Sequence, residues 1–382
     1  MTPFAPGNPT RTQRLAVAGI IGLAAFGLVY ISAIRGSIRT DFSLTWFGAN
    51  ALLHGANPYA LVGPGRVFDS EWSALYPATA YLLGVPFAFF SEAIASALFV
   101  GLSTFALAYG STRDSWHRLP MFASVAFLSS AHVAQWSILF TAALFIPWLS
   151  VILPAKPQLG IAILAGTSSR QSIILGALST IVLVCVSVLI VPTWPMEWFG
   201  LIRDAGHLMP PLLRPGGVVL LIVLLRWRRP EAWLVGFIAA MPQTSYPYNL
   251  LPLLAIAATY REACFLSLTS SVGALAAVYL TDAVGGPVAA TTASAVIIAL
   301  GYLPAALIVL RRPNERLSPE QKLTEASAEA VMVWESKPAR ARGRGSARFP
   351  QYRVRPTSPT RRGDRHPARG SSRRSESSKA GV

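Results

Sequence analysis

Residues 15–34, LAVAGIIGLAAFGLVYISAI, carry no charge over 20 positions, about the length a helix needs to cross the hydrocarbon of a bilayer. The run follows Arg11 and Arg14 and has the outline of a signal peptide. No small-residue cleavage site precedes the return of polar sequence, so it reads as a retained anchor. Further apolar runs recur as far as Leu310. A chain of 382 residues that is 53% hydrophobic and 13% charged, with a mean hydropathy of +0.47, is too apolar for a water-soluble domain of that length. The sequence predicts an all-α fold, a polytopic transmembrane helical bundle.

Apolar length and punctuation divide the chain into ten to twelve spans, near residues 14–34, 75–90, 93–110, 119–134, 137–153, 157–168, 172–192, 216–227, 231–243, 248–260, 262–281 and 287–310. Several are too short to cross alone. PQLGIAILAG (157–166) reads as a half-helix, tolerated where protein or a water-filled cavity satisfies its backbone. Cys185 and Cys264 sit inside apolar runs, where a thiol behaves as a small hydrophobe, so there is no disulfide framework or CxxC metal site. Lys and Arg are retained on the cytoplasmic side of membranes. On a count of twelve, Arg11, Arg14, Arg170, RWRRPE (226–231), YRE (260–262) and RRPNER (311–316) fall on one side. STRDSWHR (111–118) dissents. The long loops 35–75 and 193–215 are then external, and both termini are cytoplasmic.

Three regions follow: a cytoplasmic N-terminus (1–13), a membrane domain (14–310) and a tail (311–382). The tail carries about 18 Lys and Arg against about 7 acids, about 11 of the formal +16, and is rich in Pro, Ser and Gly, a composition expected to be disordered. It reads either as a solvated topogenic tail or as a polycation lying on anionic lipid of the cytoplasmic leaflet. No folded recognition module accompanies it, so nucleic acid is not an expected partner. No internal repeat stands out.

The first external loop carries the most unusual sequence, TDFSLTWFGANALLHGANPY (40–59). Phe42, Trp46, Phe47, Ala49, Leu52 and Leu53 recur at helical spacing, which suits a helix lying in the membrane interface with its apolar face down. Asp41 would start that helix, either as an N-terminal charge or cap or as a chemical group. Other polar stretches at span ends are LYP (75–77), AQWS (134–137), AKPQLG (155–160), EWFGLIRDAGH (197–207) and QTSYPYN (243–249). Most of these share the side of Asp41; Gln135 does not, and must lie deeper or have its topology revised. Lys156, flanked by Ala, Pro and apolar residues, is either functional or snorkels to the interface.

Taken in order, these residues resemble glycosyltransferase family 87 of the GT-C superfamily, membrane enzymes that use polyprenyl-phosphate sugars and include polyprenol-phosphate-mannose-dependent mannosyltransferases. The matching features are Asp41 soon after the first span, LLHGANPY (52–59), LYP (75–77), AQWSILF (134–140) and KPQLG (156–160). They cover residues 14 to about 200, while the carboxyl half matches mainly by hydropathy. YPAT stands where YPP is more typical, and the Gln135–Lys156 interval is short for the family.

The resemblance implies a GT-C-like bundle that moves a sugar, the hexose mannose before the pentose arabinose, from a polyprenyl-phosphate sugar to a hydroxyl of a glycolipid or glycan acceptor, with inversion. Asp41 would be the general base. Lys156, Arg39, Arg203 and His207, with Arg66, would face the donor phosphate. Trp46, Asn57, Tyr59, Tyr76 and Gln158 would line the sugar or acceptor pocket, although interfacial Trp and Tyr also serve as belt residues. His54 and His207 make no metal spacing with each other or with nearby carboxylates, so no tightly bound metal or other cofactor is expected, with room left for a loosely held divalent cation. The expected location is the plasma membrane, with the active site outside the cytoplasm. Two other classes compete: a transporter or lipid flippase, which calls for mid-membrane charges or repeat symmetry, and a scaffold whose basic tail recruits partners.

Overall fold

The computed structural model describes residues 9–36, 40–70, 73–205, 208–244, 246–284 and 286–314. All of them belong to one compact unit; the basic tail beyond residue 314, and with it the expectation of disorder, lies outside the described residues. The fold is all-helical. Among the described residues no strand forms, and a single bridge pairs Val62 with Phe68.

Among the described residues five helices are long and apolar enough to cross a membrane: Arg11–Ile34, Glu92–Ser111, Arg170–Ile190, Tyr260–Thr281 and Thr292–Arg311. Four shorter apolar helices are Ala78–Phe87, Pro157–Gly166, Gly217–Arg226 and Pro230–Ala240. The sequence reading of ten to twelve spans counted each apolar run once, several of them too short to cross alone. Several are instead broken where proline removes a backbone donor and clashes with the preceding turn. Residues 119–134 become a 3-10 turn with Pro120 at its start, then a short helix; 137–153 becomes a helix of seven residues followed by a 3-10 segment opened by Pro147.

In chain order the helices used below are α1 (Arg11–Ile34), α2 (Asp41–Leu53), α3 (Pro58–Leu61), α4 (Ala78–Gly84), α5 (Glu92–Ser111), α6 (Val125–His132), α7 (Ser137–Ala143), α8 (Pro157–Gly166), α9 (Arg170–Ile190), α10 (Trp194–Asp204), α11 (Pro230–Ala240), α12 (Leu251–Leu254) and α13 (Tyr260–Val284). Helices α1 and α5 pack along each other, and α2 lies against α3, α4 and α5.

The loop helix expected at residues 41–53 is therefore present, but it does not float with one face down. Phe42, Ser43, Leu44, Thr45, Gly48, Ala49 and Ala51 are all buried, polar positions as well as apolar ones, because small residues let neighbours close in. A Cβ at Gly48 would overlap the Tyr81 ring, and one at Gly84 would sit 2.8 Å from Thr45 Cγ2. Beneath α2 an aromatic cluster fixes its start: the Phe42 and Phe99 rings stack at 4.1 Å between centroids, and Trp136 meets Phe99 edge-on at 4.9 Å. Such pairs add about 0.5–1.5 kcal/mol each beyond their buried area.

Candidate functional site

Helix α2 has its own cap, and that frees Asp41. Thr40 Oγ1 accepts the Ser43 N–H at 3.2 Å and Ser43 Oγ accepts the Thr40 N–H at 3.2 Å, a reciprocal capping box; Thr40 Oγ1 also meets Ser96 Oγ at 3.0 Å. Asp41 is the first helical residue. Thr40 takes the capping role considered for Asp41, while Asp41 in the first turn still fits the reading as an N-terminal helix charge.

The end of α6 holds Asp41 from the other side. Gln135 N–H donates to Ser130 O at 2.8 Å and Ala134 N–H to Ala131 O at 3.1 Å, the two bonds of a Schellman turn. The left-handed position of that turn, normally glycine, is Ala134 at φ 50°, a conformation that costs an L-residue roughly 1–2 kcal/mol. Val133 O, left over at the helix end, accepts the Asp41 N–H at 2.8 Å. The same turn drives Gln135, 1% exposed, inward, where its Nε2 donates to Asp41 Oδ2.

Lys156 comes from the junction between the 3-10 segment Pro147–Ala155 and α8. Thr79 Oγ1 on α4 anchors that junction by donating to Pro154 O at 2.6 Å. Lys156 Nζ donates to Gln135 Oε1 at 3.4 Å and lies 6.0 Å from the Tyr76 ring centroid and 5.7 Å from that of Tyr248. Rings at such distances attract an ammonium by about 0.5–2 kcal/mol, more where water is excluded. Tyr248 OH meets Thr244 Oγ1 at 3.1 Å, and its ring stacks on Tyr246 at 5.6 Å.

These groups line one cavity of about 320 Å³, near the lower end of the roughly 300–1,000 Å³ usual for small-molecule sites. Its polar wall comprises Asp41, Gln135, Lys156, Gln158, Tyr76 and Tyr248, with His132 at the edge; Leu159, Ile202, Leu208, Ile238 and Met241 form apolar wall. Burial pushes the Asp41 carboxyl above its ordinary range while Lys156 pulls it back. Burial pushes the Lys156 ammonium below its ordinary range while Asp41 opposes the shift. Each charge is thus costly alone and eased by the other.

Of the residues proposed from sequence, Asp41, Lys156, Tyr76 and Gln158 line this cavity. Trp46, Asn57, Tyr59, Arg66, His54 and Arg203 do not. The Trp46 indole donates to Phe90 O at 3.0 Å. Asn57 caps α3 and donates to both Glu197 oxygens at 3.0 and 3.1 Å, tying α3 to α10. Tyr59 is buried, with its hydroxyl donating to Tyr76 O at 2.9 Å, and Arg66 donates to Tyr59 O. The His54 ring donates to Asn50 O at 2.8 Å. Arg203 pairs with Asp204 at the surface. Arg39 and His207 lie outside the described residues.

Gln135 is buried within the protein and lines the site. Tyr248 and His132 were not given roles from sequence; the run of amide and aromatic residues in QTSYPYN between two apolar stretches was the available sign for the first, and nothing marked the second. Among the described residues no group of three or more His, Cys, Asp or Glu is placed to hold a metal ion. Compared with known proteins, the chain matches no family model, no curated protein and no solved structure.

Proposed function

We propose that the chain is an integral membrane glycosyltransferase that moves a hexose, mannose first, from a polyprenyl-phosphate sugar to a hydroxyl of an extracytoplasmic glycolipid or glycan. The observation that carries this reading is the meeting of Asp41, Gln135 and Lys156 in one cavity. These residues come from three of the five separate features on which the resemblance to glycosyltransferase family 87 rests.

The chemistry needs few parts. The acceptor O–H gives its proton to Asp41 while its oxygen bonds to the sugar's anomeric carbon. The anomeric carbon's bond to the phosphate oxygen breaks, and the electron pair leaves with the polyprenyl phosphate. A single displacement inverts the anomeric centre. A phosphodiester with one negative charge becomes a monoester carrying a second, and Lys156 is placed to meet the charge that develops. Asp41 Oδ2 is engaged by Gln135; Oδ1, with no hydrogen bond among the described residues, is the oxygen proposed to take the proton. Burial raises the basicity of Asp41, which favours general-base catalysis near neutral pH. Tyr76 and Gln158 offer a ring face and an amide to the sugar, and the apolar wall suits a prenyl chain.

The test is transfer of labelled mannose from polyprenyl-phosphate mannose into extractable glycolipid or polymer, by membranes holding equal amounts of the intact protein or Asp41→Asn. Transfer by the first alone supports the reading; equal transfer by both removes Asp41 from the mechanism. A transporter or lipid flippase is the second reading, favoured by the short helices α6 and α8 that both line the cavity, since interrupted helices are a device used to bind cargo in transporters. It calls for labelled lipid to change leaflet in vesicles without chemical change.

A further inference from the structure

Asp41 and Lys156 share a small cavity yet do not touch. Gln135 stands between them, giving its Nε2–H to Asp41 Oδ2 and its Oε1 to Lys156 Nζ at 3.4 Å. Partner chemistry forces that orientation: a carboxylate only accepts and an ammonium only donates, so an amide between them must turn its nitrogen to Asp41 and its oxygen to Lys156. The side chain has no freedom to leave. Gln135 is 1% exposed, its N–H is tied to Ser130 O at 2.8 Å, and the left-handed Ala134 before it aims it inward. On its far side Trp136, also buried, closes the gap, with its indole N–H 3.4 Å from Thr45 Oγ1.

We propose that Gln135 is a spacer, a neutral amide that keeps the base and the cation from collapsing into a direct ion pair. Without it, opposite charges in a cavity poor in water attract strongly, and Lys156 carries a flexible four-carbon stem long enough to close the gap. A collapsed pair would leave the carboxylate a poor base and the ammonium occupied, so neither could serve the proton or the phosphate. With the amide in place both are held by one group, and Asp41 Oδ1 and the remaining ammonium hydrogens stay available. Gln135 is thus a positioning residue acting through Asp41 and Lys156. The inference rests on the proposed roles of those two, but its test does not require turnover.

The test follows the protonation of Asp41 directly. Full-length protein in lipid nanodiscs is titrated while the infrared stretch of a protonated carboxyl is recorded, each form being subtracted from its own Asp41→Asn counterpart so that only this carboxyl remains. The other ionisable groups facing the site are Lys156, Tyr76, Tyr246, Tyr248 and His132, all retained in the first comparison. In Gln135→Ala the spacer reading expects Lys156 to reach the carboxylate and the midpoint to fall by about 1–3 units. In Gln135→Ala combined with Lys156→Met it expects the midpoint to rise above that of the intact protein. If Gln135 were only a hydrogen-bond donor, its removal would take a favourable contact from the ionised form and raise the midpoint. A midpoint that rises or stays in Gln135→Ala therefore overturns the proposal.

Gln135→Asn keeps a polar amide in the buried position but is too short to span the gap. It carries the same expected fall if the alanine form does not reach the membrane folded. Loss of sugar transfer in the intact protein sinks the glycosyltransferase reading, while the direction of the shift still decides the spacer.

Discussion

Charge is handled in two ways along the short helical stretch 247–257. At its start, beside Tyr248, the charges of Asp41 and Lys156 are held apart by a neutral amide. At its end they are paired. Arg312 meets Glu262 at 2.7 Å and Glu231 at 3.5 Å, and Arg229 adds a 3.8 Å contact to Glu231. The same cluster fixes the chain just past α12: Arg118 donates to Ala255 O at 3.3 Å, Arg312 to Ile256 O at 2.9 Å and the His117 ring to Ala257 O at 3.1 Å. Three consecutive carbonyls, at the C-cap of α12 and the two residues after it, are satisfied by three side chains. Burial and the neighbouring Arg118 hold His117 below its ordinary range, consistent with a neutral ring that donates through Nε2. Where charges are spent on each other and on backbone, the result is fixed structure. Where they are kept from each other, both groups stay available to the proposed chemistry.

The largest effect expected from this contrast is at Asp41. Asp41→Asn keeps the shape and the backbone bond to Val133, so protein yield and melting in detergent should hold, while transfer falls by about 10²–10⁴-fold, the usual contribution of a general base. A fall in melting temperature matching the fall in activity would place Asp41 in the paired, structural class instead. Arg312→Met should behave in the opposite sense. It strands Glu262 and takes the donor from Ile256 O, and hydrogen bonds to charged groups are worth about 1.5–3 kcal/mol each, so the melting temperature should drop clearly. Transfer per folded molecule should stay within about twofold. Activity lost ahead of stability in this variant would break the distinction between the two ends.

A smaller, directional effect is expected at Lys156. Its charge lowers the Asp41 pKa against the rise caused by burial. Removing it in Lys156→Met leaves burial unopposed, so Asp41 binds its proton up to a higher pH. The acid limb of the transfer profile should then move to higher pH, together with a lower maximum. Lys156→Arg keeps the positive charge and should leave the acid limb closer to that of the intact protein. A limb that moves to lower pH in Lys156→Met would contradict the electrostatic coupling of the two groups.

The two ends also differ in how far the sequence announces them. Helix α2, its start at Asp41 and the unusual setting of Lys156 are readable because a charge in an apolar setting stands out and helical spacing is periodic. Thr40 as cap is readable in principle from the residue type before the helix. The position of Gln135 is not, because it depends on a turn in which alanine adopts a conformation that sequence rules assign to glycine. The number of long helices is equally hidden: apolar length alone does not say whether Pro120, Pro147 or Pro247 merely begins a helix or replaces part of it with 3-10 turns. Asn57 and Tyr59 illustrate the converse error, since polar and aromatic groups near a site are as often satisfied by the scaffold, here by Glu197 and Tyr76 O.

The smallest effect concerns the turn that aims the spacer. Ala134 is fully buried at φ 50°. In Ala134→Gly the loss of a buried methyl, about 0.8 kcal/mol, and the greater chain entropy of glycine, about 0.5–1 kcal/mol, are offset by relief of a left-handed cost of roughly 1–2 kcal/mol. Stability should therefore change by no more than about 0.8 kcal/mol in either direction. Ala97 is just as buried but lies inside α5, where glycine loses the methyl and about 1 kcal/mol of helix propensity with nothing returned. Ala97→Gly should cost about 2 kcal/mol. Denaturation of the two variants side by side isolates the strain in the turn. If both cost the same, Ala134 stores none, and the rigidity that points Gln135 at Asp41 must come from packing against Trp136 and the aromatic cluster rather than from the backbone.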